Sequence, residues 1–142
     1  MPDAAFDLDR FVQAQAGVYA TALAELQRGR KTSHWMWFVF PQIAGLGFSP
    51  MARRYAIADL EEATAYLAHP VLGPRLRQSA TAAVGEGGRS ASHLFGHPDD
   101  LKFRSSMTLF ELADRADDLF GPALASLCGG ARDEATLRLV KG

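Results

Sequence analysis

The sequence predicts an all-α fold, a single compact orthogonal domain of six to eight helices covering residues 1–142. Apolar residues recur at three- and four-residue spacing through most of the chain, which is typical of helices with one buried face. No segment alternates apolar and polar residues over the length of a strand. A chain of 142 residues is also long enough to bury about two-thirds of its unfolded surface in one core, without disulfides or metal.

The first helix is predicted from Asp9 to Arg28. Its apolar stripe includes Phe11, Val18 and Leu26, and Gly29 follows as a typical C-terminal cap.

Later helices are predicted from their capping residues. Ser49-Pro50 combines an N-cap with proline at the first helical position and opens a short helix through Ile57. Asp59 and Glu62 resemble a capping box, and the helix that they open closes at His69-Pro70. A further helix is predicted over 71–84, followed by a single turn capped by Ser90 or Ser92. Three more helices are predicted to begin at Pro98, Gly121 and Asp133.

The segment from His34 to Phe40 is ambiguous, because a short apolar aromatic run suits a buried strand as well as a buried helical turn. Its neighbours are helical on both sides, so we predict a short helix here. In a helix Trp35 and Trp37 lie on different sides, so that one ring can anchor the core while the other lines a surface cleft.

The net charge of −1 predicts neither a nucleic-acid nor a membrane partner. The charges are nevertheless unevenly distributed. Residues 26–58 contain no acidic residue and five basic ones, namely Arg28, Arg30, Lys31, Arg53 and Arg54. This stretch either attracts an anion or presents solvated helix ends, where basic residues are favoured in any case.

Targeting features and cysteine usage indicate the compartment. The first twenty residues lack the basic start and apolar stretch of a secretory signal. The longest apolar run, residues 35–40, is far shorter than the ~20 residues of a membrane span. Cys128 is the single cysteine, which excludes an internal disulfide. We therefore expect a soluble cytoplasmic protein.

The segment 29–42 combines both tryptophans with cationic and polar residues. Core packing explains much of it, but aromatic faces beside cationic donors also suit a planar anionic ligand. The candidate ligand-binding residues here are Lys31, Trp35, Trp37 and Gln42, and His34 is a candidate acid–base group.

A glycine-bearing loop follows, in which Gly45, Gly47 and Ser49 lead into a helix start and Arg53 adds charge. Backbone N–H groups at such a start can bind phosphate or carboxylate. The spacing matches neither a dinucleotide fingerprint nor a Walker loop, so a plain turn with a cap is the alternative.

Polar residues also interrupt the helix that begins near Pro98. Lys102 reaches Ser105 and Ser106 at i+3 and i+4, which permits a Ser-Lys dyad or a phosphate-binding pair, unless the serines bond back to helix carbonyls. Asp99 is a candidate catalytic carboxylate, although a first-turn aspartate is favoured by the helix dipole alone.

His93 and His97 have the i, i+4 spacing of helical metal ligands, but Gly96 and Pro98 interrupt the helix that would align them. We therefore expect neither a metal site nor a cofactor.

Several of these motifs carry a resemblance that covers nearly the whole chain. They are the segment 29–42 (GRKTSHWMWFVFPQ), 45–47 (GLG), 55–57 (YAI), 69–73 (HPVLG), and Lys102 with 105–110 (SSMTLF). With them the chain resembles a bacterial family of proteins of unknown function, domain-of-unknown-function family 1810. The resemblance implies a small all-α domain of about this length and brings no reaction with it.

Some members of that family carry the label calpastatin, after the animal inhibitor of calpain. That inhibitor is disordered and poor in aromatic residues, whereas this chain has a globular composition, so the label does not fit. A fainter similarity, at Lys102-Phe103, is to families that process NAD and ADP-ribose derivatives, where a Lys-Phe pair follows a polar turn.

Two functions are compatible with these features. The first is binding of a small anionic nucleotide-like ligand, an ADP-ribose or NAD derivative, whose N-glycosidic bond a carboxylate beside the ribose could help to cleave. The second is a non-catalytic module that offers an apolar patch to a protein partner. The sequence leaves open whether the protein is an enzyme.

Overall fold

The computed structural model describes residues 6–141 and contains ten helices within them. They are α1 (Asp9–Gln15), α2 (Tyr19–Arg28), α3 (Met36–Val39), α4 (Pro50–Arg54), α5 (Leu60–Ala68), α6 (Leu72–Val84), α7 (Ala91–Phe95), α8 (Asp99–Ala113), α9 (Phe120–Cys128) and α10 (Glu134–Lys141). No strand forms in this part of the chain, so the predicted all-α class is confirmed. The predicted number of six to eight helices is too low.

One cause of the difference is the break in the predicted first helix. Ala16 leaves the helix with an extended backbone, and Gly17 follows at a φ of +76°, a left-handed conformation that glycine adopts without strain. The apolar spacing continues across the break, because Phe11 in α1 and both Ala22 and Leu26 in α2 all face the core. Periodicity alone therefore does not reveal the interruption.

The predicted caps are present. The Ser49 side chain accepts from Ala52 N at the start of α4, and Asp59 accepts from Glu62 N at the start of α5. Ser90 caps α7. The capping box of α5 is modified, since the Glu62 carboxylate accepts from Ala58 N at 2.7 Å rather than from Asp59 N.

The ambiguous aromatic segment forms the single turn α3, and the chain then runs on through an isolated parallel bridge between Ile43 and Ile57. Ile57 N donates to Gln42 O and Ala44 N donates to Ile57 O, both at 2.8 Å. These two bonds fix the backbone that follows α3 against the residues that follow α4.

Helix α8 occupies the centre of the molecule and packs against α3, α5, α7, α9 and α10. Its Phe103 stacks on Phe95 at a centroid distance of 4.8 Å and meets Phe40 edge-on at 5.1 Å. Further along, Phe110 lies against Tyr66 at 5.4 Å. This aromatic core fixes the N-terminal turns of α8 beside α3, where the candidate site lies.

None of the helices in residues 6–141 has the length and apolar character that crossing a bilayer requires.

Candidate functional site

A surface groove of about 400 Å³ lies where the first turns of α8 face the loop and helix start of residues 42–52. This volume is within the range of small-ligand sites. The apolar lining residues are Trp37, Leu46, Gly47, Phe48, Ala52, Pro98 and Leu101. The polar lining residues are Gln42, Ser49, Lys102, Ser105 and Asp133.

The two tryptophans have different environments. Trp35 is fully buried and its indole N–H donates to Glu25 Oε1 at 2.9 Å, so it is a core residue and cannot contact a ligand in the groove. Trp37 is only half-buried and lines the groove. The two rings are therefore separated as predicted, although Trp35 precedes α3 rather than lying in it, and of the two only Trp37 can contact a ligand in the groove.

A cluster of three charges lies behind the groove. Asp99 at the start of α8 binds Lys31 through Oδ2 at 2.7 Å and Lys102 through Oδ1 at 3.1 Å. Each ammonium also lies over an indole, Lys31 Nζ at 5.1 Å from the Trp35 ring centroid and Lys102 Nζ at 4.8 Å from that of Trp37. The cluster joins residues from two segments far apart in sequence.

The cluster holds Asp99 in its ionised form. Partial burial acts to raise the pKa of Asp99, but hydrogen bonds and Coulomb attraction from Lys31 and Lys102 outweigh it, and the net effect lowers the pKa. At neutral pH this carboxylate is therefore negatively charged and is not a proton donor. Lys31 is nearly enclosed, with 7% of its side chain exposed, so it is a buried counter-charge rather than a lining residue of the groove.

Glu25 organises the loop that carries Lys31 and Trp35. Its carboxylate accepts from Thr32 N at 2.8 Å, from Ser33 N at 3.0 Å, from Ser33 Oγ at 2.6 Å and from the Trp35 indole at 2.9 Å. Burial acts to raise the pKa of Glu25, but these four bonds overcome it and lower the pKa to about 2.

Sequence reasoning missed Glu25, although the pattern contains an indication of it. Glu25 lies three residues after Ala22 and seven after Val18, on the apolar stripe of α2, and is only 3% exposed. A carboxylate on a buried helix face requires partners, and the polar residues after Gly29 supply them.

The serines near Lys102 do not form a dyad with it. Ser105 Oγ instead donates to Leu101 O at 3.0 Å, a bond back to a carbonyl of its own helix. Ser106 is fully buried and its hydroxyl has no partner among the described residues, so it does not line the groove. Lys102 instead bonds to Asp99.

Part of the predicted glycine loop lines the groove. Gly47 packs against α4, where an added Cβ would lie 2.8 Å from the Ala52 Cβ. Gly45, at a φ of +103°, lines a smaller adjoining cavity, and an added Cβ there would lie 3.2 Å from Leu139 Cδ2 of α10. Ser49 lines the groove while capping α4, and the exposed Arg53 is outside the lining.

The histidine candidates lie outside the groove. His34 is exposed on the loop before α3 and does not line the groove. His93 and His97 are both exposed, and His97 Nδ1 lies 3.1 Å from Asp100 Oδ1. Of the predicted acid–base residues, only Asp99 belongs to the charge cluster.

The model of a family described as "Protein of unknown function (DUF1810)" matches residues 5–140. The chain belongs to the DUF1810 family. The resemblance drawn from the motifs is thereby confirmed, and the all-α class that it implies agrees with the helices of the structure.

Among solved structures, this DUF1810 chain is similar to the conserved hypothetical protein Rv1873 from Mycobacterium tuberculosis, at 53% sequence identity and a TM-score of 0.93. The match covers 96% of this chain and 98% of that one. No curated protein matches the chain. These comparisons establish the family and support the fold, and they name no ligand or reaction.

Proposed function

We propose that the groove binds a small anionic ligand with a flat ring, an ADP-ribose or NAD derivative being the class that fits best. The observation that carries the proposal is the pairing of the Trp37 ring with the Lys102 ammonium, 4.8 Å apart, in the wall of a groove of about 400 Å³. A base stacks on an exposed indole face, and an ammonium attracts the phosphate.

The charge cluster supplies a cation to the groove. Lys31, Asp99 and Lys102 together carry a net charge of +1, and Lys102 is the member that lines the groove. The carboxylate of Asp133 also lines the groove and is held as the cap of α10, where it accepts from the backbone N and the Oγ1 of Thr136. Lys102 is therefore the cation that an incoming phosphate meets in the groove, and the phosphate shares this ammonium with Asp99.

The arrangement supports binding better than hydrolysis of an N-glycosidic bond. Asp99 is ionised, as a carboxylate that stabilises a cationic transition state must be. However, the two ammonium groups that keep it ionised also neutralise its field. We therefore propose a binding domain and place Asp99 in it as the residue that positions Lys102.

Calorimetric titration of the protein with ADP-ribose and NAD tests this proposal. Lys102→Met and Trp37→Leu should each weaken binding about tenfold or more, since each removes one of the two attractions. Lys141→Met is the matched control, because Lys141 is exposed on α10 outside the groove lining. A ligand at 100 times its Kd should also stabilise the fold by about 2.7 kcal/mol.

Absence of both heat and stabilisation with the unmutated protein at millimolar ligand would refute the proposal. Equal weakening by Lys141→Met would show non-specific attraction to basic groups instead.

A protein-interaction module is the second candidate, and one observation favours it. Three large apolar side chains are exposed among residues 6–141, Phe48 at 72%, Leu101 at 45% and Leu139 at 40%. Phe48 and Leu101 line the groove, and Leu139 lies against Gly45 in the neighbouring loop. Exposed apolar residues gathered in one place are typical of interaction surfaces.

The two candidates differ in their response to Phe48→Ser. If the protein is an interaction module, a partner that copurifies with the unmutated chain should be lost in this variant. No small molecule should then raise the melting temperature of the unmutated protein. Retention of nucleotide binding by Phe48→Ser, with no partner recovered from the unmutated protein, favours the ligand-binding function.

A further inference from the structure

We propose that Gln42 reads the edge of the ligand's ring, so that the groove selects a ring with a hydrogen-bond donor beside an acceptor. The 6-amino group and neighbouring ring nitrogens of adenine have this pattern, as does the carboxamide of nicotinamide. The inference rests on the proposed function, because it names the ring that stacks on Trp37.

Gln42 lies at the junction of two cavities. It lines the groove, and it also lines the adjoining cavity of about 20 Å³, which has room for roughly one water molecule. Trp37 lines both cavities as well. A ring stacked on Trp37 therefore has Gln42 within the same wall.

The backbone of Gln42 is fixed while its side chain is unengaged. Its carbonyl accepts from Ile57 N at 2.8 Å, and the next residue forms the bridge to Ile57. Its carboxamide, by contrast, makes no hydrogen bond with any residue from 6 to 141, and its polar atoms are not among the fully buried ones. Both its acceptor and its donors are therefore available to a ligand.

Gln15 is a glutamine that is buried in the core, and its side chain is hydrogen-bonded. Its amide group donates to Phe38 O at 2.7 Å and to Tyr66 Oη at 3.2 Å, and its oxygen accepts from Arg75 Nη1 at 3.3 Å. Such pairing is the rule for polar groups withdrawn from water. The side chain of Gln42, which lies in the groove rather than in the core, has no such hydrogen-bond partner.

A carboxamide forms two parallel hydrogen bonds with an adenine edge, donating to a ring nitrogen and accepting from the 6-amino group. A ring without the amino group leaves the glutamine oxygen without its partner once the stacked ring has displaced water from it. Discrimination of about tenfold or more is expected from one such pair.

Two pairs of nucleotides, each differing in one donor group, test the inference by calorimetry. The first pair is AMP and purine riboside 5′-monophosphate, which lacks the 6-amino group. The second is nicotinamide mononucleotide and its 3-acetylpyridine analogue, which keeps the carbonyl and loses the NH₂. We expect the donor-bearing member of at least one pair to bind about tenfold more tightly, and the responding pair identifies the ring.

Gln42→Leu should abolish this preference, because leucine has a similar size and no polar group. Gln27→Leu is the matched control, since Gln27 is exposed on α2 outside the groove lining, and it should retain the preference. The comparison of nucleotides on the unmutated protein does not depend on either variant folding.

The possible failures are distinguishable. Equal binding within both pairs by the unmutated protein, or an undiminished preference in Gln42→Leu, would overturn the role of Gln42 while leaving the groove as a nucleotide site. Binding of none of the four nucleotides, and of neither ADP-ribose nor NAD, would overturn the proposed function and this inference together. Binding of ADP-ribose or NAD but of none of the four nucleotides would overturn this inference alone.

Discussion

Replacing Glu25 by glutamine removes the charge that organises the loop while keeping the shape of the side chain. The bonds from Thr32, Ser33 and Trp35 hold the pKa of Glu25 at about 2 in the folded protein, against 4.5 for an ordinary glutamate. At 1.36 kcal/mol per pKa unit, this difference corresponds to about 3 kcal/mol of stability at neutral pH. We expect Glu25→Gln to lose roughly this amount of the free energy of unfolding at pH 7.

The sign of the pH dependence follows from the lowered pKa. The stabilisation is fully present above the unfolded pKa of 4.5 and is lost as the pH falls towards the folded pKa of about 2. The unmutated protein should therefore lose about 2 kcal/mol of this contribution by about pH 3, and the difference between it and Glu25→Gln should shrink accordingly.

Urea unfolding at pH 7 and pH 3, followed by far-ultraviolet circular dichroism, measures both quantities. Glu86→Gln is the control, because Glu86 is exposed in the loop after α6 and should change stability by less than about 0.5 kcal/mol. A loss below about 1 kcal/mol in Glu25→Gln at pH 7, or a difference independent of pH, would refute the account of the carboxylate as the organiser of this loop.

Two further substitutions test other parts of the structure. Arg89 donates to backbone carbonyls at the C-terminal ends of α2 and α6, so Arg89→Met should lower the free energy of unfolding by about 2–4 kcal/mol in urea, against little change for the exposed Arg28→Met. Lys31→Met removes one of the two cations beside Asp99, so the pKa of Asp99 should rise towards its ordinary value in an NMR titration of the carboxyl group. An unchanged Asp99 titration would show that Lys102 alone sets its ionisation.

Much of the fold can be predicted from local sequence because its determinants are local. The caps at Ser49 and Asp59 and the end of α2 at Gly29 each depend on residues within four positions of one another. The break at Gly17 cannot be predicted because it leaves the apolar spacing intact. A glycine inside a helical pattern is compatible with a continuous helix as well as with a broken one.

The candidate site could be predicted only in part. The separation of Trp35 from Trp37 could be expected from a helical turn, although Trp35 precedes α3 rather than lying in it. Which ring is buried depends on Glu25, ten residues before the first of them. The pairing of Lys31 with Asp99 joins α8 to a loop 68 positions earlier in the chain, and no periodicity encodes such a contact. Lys31 consequently resembles a ligand-binding residue in sequence and is a counter-charge in the structure.

Because the two indoles have different surroundings, the protein contains two intrinsic fluorophores that report different parts of its structure. Trp35, enclosed and bonded to a carboxylate, should emit at short wavelength and report the integrity of the loop. Trp37, half-exposed beside an ammonium group, should emit further to the red and be quenched by any molecule that stacks on it. A Trp37→Phe variant isolates the first emission and so identifies the part of the spectrum that belongs to Trp37. In the unmutated protein, occupancy of the groove and unfolding can then be followed in the same cuvette without an added dye.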